Sequence, residues 1–204
     1  MSPKRREMHF GVFVLGTGNH SAGWRYDGAA TSNNDLSVIQ EIARHAERGK
    51  FDLLFVSDGL VMDPGDHPSF LCRFEPTTLI SALSAATRYI GLGATVSTSF
   101  GEPYHVARTF GSIDHITQGR AAWNVVTSSA GKAALNFSRE AHMEHDLRYD
   151  ATTSGCHACP RPRDPGDTPS RERHRRPLAT RGLASAQPVE RGRIVVSQLA
   201  AHLR

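Results

Sequence analysis

The chain has 204 residues and a mass of 22.3 kDa, with 39% hydrophobic residues and a formal net charge of +4, which allows one sizeable buried core or two small ones. No apolar run approaches the length needed to cross a bilayer, and the opening MSPKRREMHFGVFVLGTG is too short and interrupted in its apolar part for a secretory signal, so a cytoplasmic protein with no membrane partner is expected. The three cysteines, Cys72, Cys156 and Cys159, do not make a disulfide framework for a chain this size.

His9 to Leu15, HFGVFVL, is a short apolar run stopped by Gly16 and predicts a buried strand. A loop rich in Gly, Ser and Asn follows and carries His20, Trp24 and Arg25. In DLSVIQEIARHAERGK, Leu36, Ile39, Ile42, Ala43 and Ala46 share one helical face, with Asn34 or Asp35 as N-cap and Gly49 as the stop. FDLLFVSD, from Phe51, is a second strand, TTLISALSAATR a helix and YIGLGATVSTS a third strand. EPYHVARTFGSIDHIT is a further helix, and RAAWNVVTS a fourth strand.

Apolar strands without polar alternation, each alternating with an amphipathic helix, imply an α/β fold with a parallel sheet covered by helices. The doubly wound sheet and the (β/α)8 barrel both satisfy that pattern. A dinucleotide site would need its glycine fingerprint at the first strand-to-helix turn; Gly16, Gly18 and Ser21 come close, but no helix opens at Gly18. Gly91 and Gly93 sit inside a strand and lack the third glycine.

In either architecture the working residues lie at the carboxyl ends of the strands. Those ends read Gly16-Thr17-Gly18, Ser57-Asp58-Gly59, Thr95 to Ser99, and Asn124 with Thr127 and Ser128. This is a rim of hydroxyls, one amide and one carboxylate, with no nucleophile elbow, glycosidase carboxylate pair or metal triad. It suits a ligand that has many hydrogen-bonding edges and brings its own reactivity. Asn124 is the most informative residue, because a buried amide in an apolar strand needs partners that a strand interior seldom supplies. Asp58 equally suits a turn cap, and Thr95 and Ser97 are ordinary strand formers. His142 and His145 in HMEH have metal-ligand spacing, but Glu144 and Asp146 beside them favour a solvated helix face, and no metal is expected.

The blocks FDLLFVSDGL, EPTTLISALSAATRYIGLGATVSTSFGEPYHVARTFGSIDHITQGRAAWNVVTS and NFSREAHMEHDLRY resemble the bacterial luciferase-like flavin monooxygenases, in particular the nitrilotriacetate and dibenzothiophene-sulfone monooxygenase group. The resemblance runs from about Met8 to Tyr149 and departs from the group at Ser138, where Gly is usual. It implies a (β/α)8 barrel that takes reduced FMN from a separate flavin reductase and uses O2 to oxygenate a small organic substrate, with a homodimer as the assembly of the intact family. Carried over to this chain, it places Asp58 beside the flavin ring, with Thr95 or Ser97 lining the ring. It has Asn124 bonding the ring or ribityl chain with Ser128 nearby, and Tyr149 bonding the phosphate. His20 and Trp24 fall on the substrate side. An F420-dependent relative shares the fold, but the W-N-V-V-T-S block favours FMN.

After Tyr149 the sequence changes character. Residues 1 to 150 hold 14 Lys and Arg against 16 Asp and Glu, whereas 151 to 204 hold 10 Arg, no Lys and 4 acids, so all the basicity is in the tail. All 15 aromatic residues lie at or before Tyr149, and the tail has six prolines. Such a segment buries too little apolar surface to offset its ordering entropy, so a disordered tail is expected, with the domain boundary near 150. The expected architecture is the N-terminal half of a (β/α)8 barrel, about four βα units, since a whole barrel takes about 250 residues. The tail has the composition of a GC-rich gene read out of frame, and a frameshifted, truncated product of impaired activity is the expectation. Cys156-x-x-Cys159 is a weak zinc pattern. The Arg-rich arm has no aromatics to stack on bases, so specific nucleic-acid binding is not expected and only loose, salt-sensitive attachment remains, as in a non-enzymatic remnant. RGRIVVSQLAAHLR suits a short terminal helix packed on the open edge.

Overall fold

The computed structural model describes residues 8–20, 22–30, 32–62, 71–144 and 147–148, and the backbone of 195–197. The strands are β1 (Gly11–Phe13), β2 (Leu53–Val56), β3 (Gly91–Ser97), β4 (Ala121–Val126) and β5 (Val195–Ser197). They form one sheet in the order β1-β2-β3-β4-β5, every pair parallel. A doubly wound sheet reverses its strand order at the point where its ligand binds. This sheet runs on in sequence order, as the first strands of a (β/α)8 barrel do, so the arrangement is that of a partial barrel.

Three helices follow the first three strands: α1 (Leu36–Arg48), α2 (Pro76–Ser84) and α3 (Pro103–Thr117). Their starts are encoded locally. The Asp35 carboxylate accepts the backbone N–H of Ser37 at 2.9 Å, and that of Glu75 accepts the N–H groups of Thr77 and Thr78 at 2.9 and 2.7 Å, which satisfies donors a helix leaves open at its first turn. Pro76 and Pro103 open their helices, where a missing N–H costs nothing. α3 ends at Gln118 in the left-handed conformation (φ 56°).

Successive strand residues face opposite sides, and the two sides differ. Val14, Leu54, Val56, Leu92, Ala94, Trp123 and Val125 pack with Ile39 and Ala43 of α1, Ile80 and Leu83 of α2 and Phe110 and Ile113 of α3 in one buried core. The other face carries Phe13, Leu53, Phe55, Gly93, Thr95, Ser97, Ala122 and Asn124. There the Phe13 and Phe55 rings lie 5.2 Å apart, and a Cβ on Gly93 would fall 3.8 Å from that of Ala122. Trp123 and Asn124, adjacent in sequence, thus serve different purposes. The indole stacks on Phe110 in the helix layer at 5.5 Å, and the amide points to the barrel side.

At the amino ends of the strands two charged side chains fasten the layers. The Glu47 carboxylate, in the last turn of α1, accepts the N–H groups of Arg88, Tyr89 and Ile90 at 2.8, 2.7 and 3.1 Å. Arg120 donates to the Thr117 carbonyl, the Thr87 hydroxyl and the Ile90 carbonyl, each at 2.9 Å, and so ties the end of α3 to the entry of β3. Conserving order at this end of a barrel is a matter of stability, because the chemistry lies at the other.

The terminal segment departs from the sequence reading. Val195–Ser197 is a strand, in register Trp123↔Val195, Asn124↔Val196 and Val125↔Ser197, and not a helix. β-branched residues are stiff and favour extended backbone, and the edge of β4 offers unpaired N–H and C=O groups to such a segment. Among the described residues the sheet therefore has five strands where four were expected. The remaining residues of 151–204, with Cys156 and Cys159, lie outside the described residues.

Candidate functional site

The carboxyl ends of β2, β3 and β4 are brought into line by the register, which sets Phe55 opposite Gly93 and Thr95 opposite Asn124. At the centre is that last pair. Thr95 is buried and its hydroxyl donates to the Val56 carbonyl at 2.9 Å; the hydroxyl oxygen in turn accepts from Asn124 Nδ2 at 3.0 Å. The Thr95 proton is committed to Val56, so the amide must turn its nitrogen toward Thr95, which sends its oxygen the other way. Asn124 is only 3% exposed, and its Oδ1 has no hydrogen-bond partner. A buried acceptor without a donor costs about 1–3 kcal/mol, and the cost is recovered when a ligand N–H or O–H reaches it.

One residue pair further along, the buried Ser97 hydroxyl accepts from that of Ser128 at 2.8 Å. Ser128 is in the left-handed conformation (φ 53°), and its carbonyl accepts from His142 Nε2 at 3.0 Å and Arg148 Nη1 at 2.7 Å. Ser99 donates to the Thr127 carbonyl at 2.7 Å, and Arg139 donates to the Ser99 carbonyl at 2.8 Å. Phe100 stacks on Phe137 at 4.5 Å and lies 4.9 Å from the His142 ring. The Asn136 amide reaches the Leu60 carbonyl at 2.8 Å, so the loop after β4 is tied to the loop after β2. The rim is a hydrogen-bonded lattice spanning three loops.

Asp58 closes the β2 side. Its carboxylate is half-buried and accepts the Gly59 N–H at 2.8 Å, as the turn-cap reading requires. Burial raises its pKa above the usual carboxylate value and Glu75 adds to this; the Gly59 N–H and Arg73 only partly offset it. Arg73 stands beside the same turn and donates to the Ser57 hydroxyl at 3.1 Å.

Five of the sequence-derived residues thus meet at one rim: Asp58, Thr95, Ser97, Asn124 and Ser128. His20 and Trp24 lie in the loop after β1. His20 is exposed and accepts the Ala22 N–H at 3.1 Å, and the Trp24 ring lies under Arg25 at 5.0 Å. Tyr149 and His145 lie outside the described residues. His142 departs from its reading as a solvated helix face, because Ala141 to Glu144 is irregular backbone and the ring packs against Phe100. Arg73, Arg139 and Arg148 were missed as rim residues: Arg73 lies outside the quoted blocks, and Arg139 and Arg148, within the third block, were given no role. Gly16 owes its identity to packing, because a Cβ there would stand 2.8 Å from the Ser32 carbonyl. Among the described residues no group of three His, Cys, Asp or Glu could hold a metal ion, and no helix is long and apolar enough to cross a membrane.

The profile of the luciferase-like monooxygenases matches residues 8–159. N-acetyl-S-(2-succino)cysteine monooxygenase of Bacillus subtilis is 52% identical over 150 residues, 73% of this chain and 34% of that one. Dibenzothiophene-sulfone monooxygenase of Rhodococcus erythropolis is 41% identical over 72% of this chain and 35% of its own length. Nitrilotriacetate monooxygenase component A of Aminobacter aminovorans is 41% identical over 71% and 35%. Among solved structures, EDTA monooxygenase from Chelativorans sp. superposes with a TM-score of 0.68 at 28% identity, over 75% of this chain and 37% of that one. A riboflavin lyase solved with modified FMN and riboflavin gives 0.66 at 28% identity, over 74% and 37%. The chain spans about a third of the length of these relatives.

Proposed function

We propose, since the chain belongs to the luciferase-like monooxygenase family, that the rim at the ends of β2, β3 and β4 holds reduced FMN for the oxygenation of a small organic substrate. The observation that carries this is the buried, unpartnered Oδ1 of Asn124. An isoalloxazine offers a ring N–H to such an acceptor, and the Thr95 hydroxyl holds the amide in the orientation that receives it. Reduced FMN, when bound, supplies the electrons with which O2 delivers one oxygen atom to the substrate.

The chain's own residues then have separate tasks. Asn124 grips the ring from β4, and Thr95 or Ser97 lines it from β3. Asp58, whose carboxyl pKa is raised by burial, faces the ring from β2. Ser128 stands near Asn124 at the ring or ribityl chain, and Tyr149 bonds the phosphate. His20 and Trp24 approach from the substrate side. A separate flavin reductase fits the name of the nitrilotriacetate relative, which is a component A. The cytoplasm is the proposed location, residues 1–150 the catalytic unit and 151–204 a basic appendage. The relatives are named for carboxylate-bearing compounds and for a neutral sulfone alike, and oxygenation is proposed for the assembled enzyme.

FMN titration followed by flavin fluorescence tests the reading. The chain is expected to bind FMN, and Asn124→Ala to weaken binding at least about tenfold, the equivalent of one hydrogen bond of about 1.4 kcal/mol. A folded chain that does not bind FMN in either oxidation state would instead be a non-enzymatic remnant.

A further inference from the structure

We propose that His142 is a further ligand-binding residue, whose Nδ1 accepts a hydrogen bond from a hydroxyl of the ribityl chain. The proposal rests on the flavin reading above, which puts the isoalloxazine at Asn124 and Ser128 at the ring or ribityl chain.

His142 comes from irregular backbone after β4 and meets the rim where its Nε2 lies 3.0 Å from the Ser128 carbonyl. A carbonyl oxygen only accepts, so Nε2 carries the proton and Nδ1 of the neutral ring is left with a lone pair. That nitrogen is buried and has no hydrogen-bond partner. The ring is held in this pose, because Arg148 Nη1 takes the second lone pair of the same carbonyl at 2.7 Å and Phe100 packs against the imidazole at 4.9 Å. The hydroxyls nearby have no proton to spare. That of Ser128 is spent on Ser97 Oγ at 2.8 Å and that of Ser99 on the Thr127 carbonyl at 2.7 Å. A buried acceptor left in this way is unfavourable, and a ligand donor that reaches it recovers the cost.

The place in the rim says which part of the ligand supplies the donor. Ser97, the partner of Ser128, follows Thr95 by two residues on the same face of β3, about 7 Å along the strand. The buried acceptor of Asn124 is thus followed, one register pair on, by a second acceptor held at Ser128. A ribityl chain is a run of hydroxyls, each of which can donate to an imidazole nitrogen. A dianionic phosphate offers acceptors alone and has nothing to give Nδ1.

The test titrates the full chain with FMN, riboflavin and lumiflavin, the last carrying a methyl group in place of the ribityl chain, and follows flavin fluorescence. The unaltered chain should hold riboflavin more tightly than lumiflavin. A Gln amide falls at the place of Nε2 and an Asn amide at that of Nδ1, so the two variants separate the ring nitrogens. His142→Gln keeps the bond to Ser128 and should weaken FMN and riboflavin alike by about three- to tenfold, the equivalent of one neutral hydrogen bond, with lumiflavin unchanged. His142→Asn restores an acceptor at Nδ1 and should bind riboflavin more tightly than His142→Gln does. Equal affinity of the unaltered chain for riboflavin and lumiflavin, or unchanged riboflavin affinity in His142→Gln, would overturn the proposal. So would an equal loss for lumiflavin, a loss confined to FMN, or an Asn variant weaker than the Gln variant. Failure of the unaltered chain to bind any of the three would overturn the flavin reading beneath it.

Discussion

Replacing Asn124 by Leu, close in size but without polar atoms, should uncouple stability from flavin binding. In the ligand-free chain the substitution removes the bond to Thr95 Oγ1, worth about 1 kcal/mol net. Thr95 loses only an accepted bond, since its own proton stays on the Val56 carbonyl. The substitution also removes the unpartnered Oδ1, whose burial costs about 1–3 kcal/mol. The balance leaves the variant as stable as the parent or more so, by about 0–2 kcal/mol, and about 2–4 °C in Tm accompanies each kcal/mol in a domain of this size. With FMN the order reverses. At a hundred times Kd the ligand stabilises the parent by about 2.7 kcal/mol, and a variant with tenfold weaker binding gains about half of that at the same concentration. Thermal unfolding with and without FMN measures both effects. A variant that melts several degrees lower without FMN and retains the full FMN-dependent rise would show Asn124 to be a structural amide and refute the reasoning.

Three further outcomes are expected. Glu47→Gln should cost roughly 2 kcal/mol at neutral pH, since a neutral amide replaces the charge-assisted acceptor of three N–H groups. Burial alone would raise the Glu47 pKa, but those N–H groups and Arg120 outweigh it and hold the pKa below 4.5. The contribution is therefore present above pH 4.5 and disappears as the pH falls through the lowered value, so urea midpoints of parent and variant should converge in acid. Asp58→Asn should show the opposite trend: because the Asp58 pKa is raised from 3.8, the ionised form is disfavoured by folding. The variant should be the more stable at neutral pH, with the advantage shrinking as the pH falls toward 3.8, and a pH-independent difference in chemical denaturation would contradict this. Arg120→Met should destabilise the chain by about 2–4 kcal/mol, by orphaning the Thr87, Ile90 and Thr117 acceptors at the amino ends of the strands. FMN affinity per folded molecule should be unchanged, which a titration of the folded fraction checks.

Much of this architecture was legible in the sequence. The apolar runs, the 3.6-residue spacing of α1 and its Asp35 cap are local signals, and they place three helices and four strands within a few residues of their observed bounds. Asn124 was legible too, because an amide in an apolar strand is anomalous wherever that strand lies. The partnering was not. That Nδ2 is spent on Thr95 and Oδ1 left over depends on the register of two strands 29 residues apart and on the commitment of the Thr95 proton to a third strand. Arg73 was invisible for a similar reason, since it meets the β2 rim across 16 residues of chain and lies there only because Gly59 leaves room. The left-handed turn at Ser128, which draws His142 and Arg148 onto one carbonyl, and the pairing of Val195–Ser197 with β4 likewise have no local signature. Propensity and periodicity act between neighbours in the chain and so determine the elements; which polar atom is left without a partner is decided only when distant segments compete for the same donors and acceptors in a space closed to water.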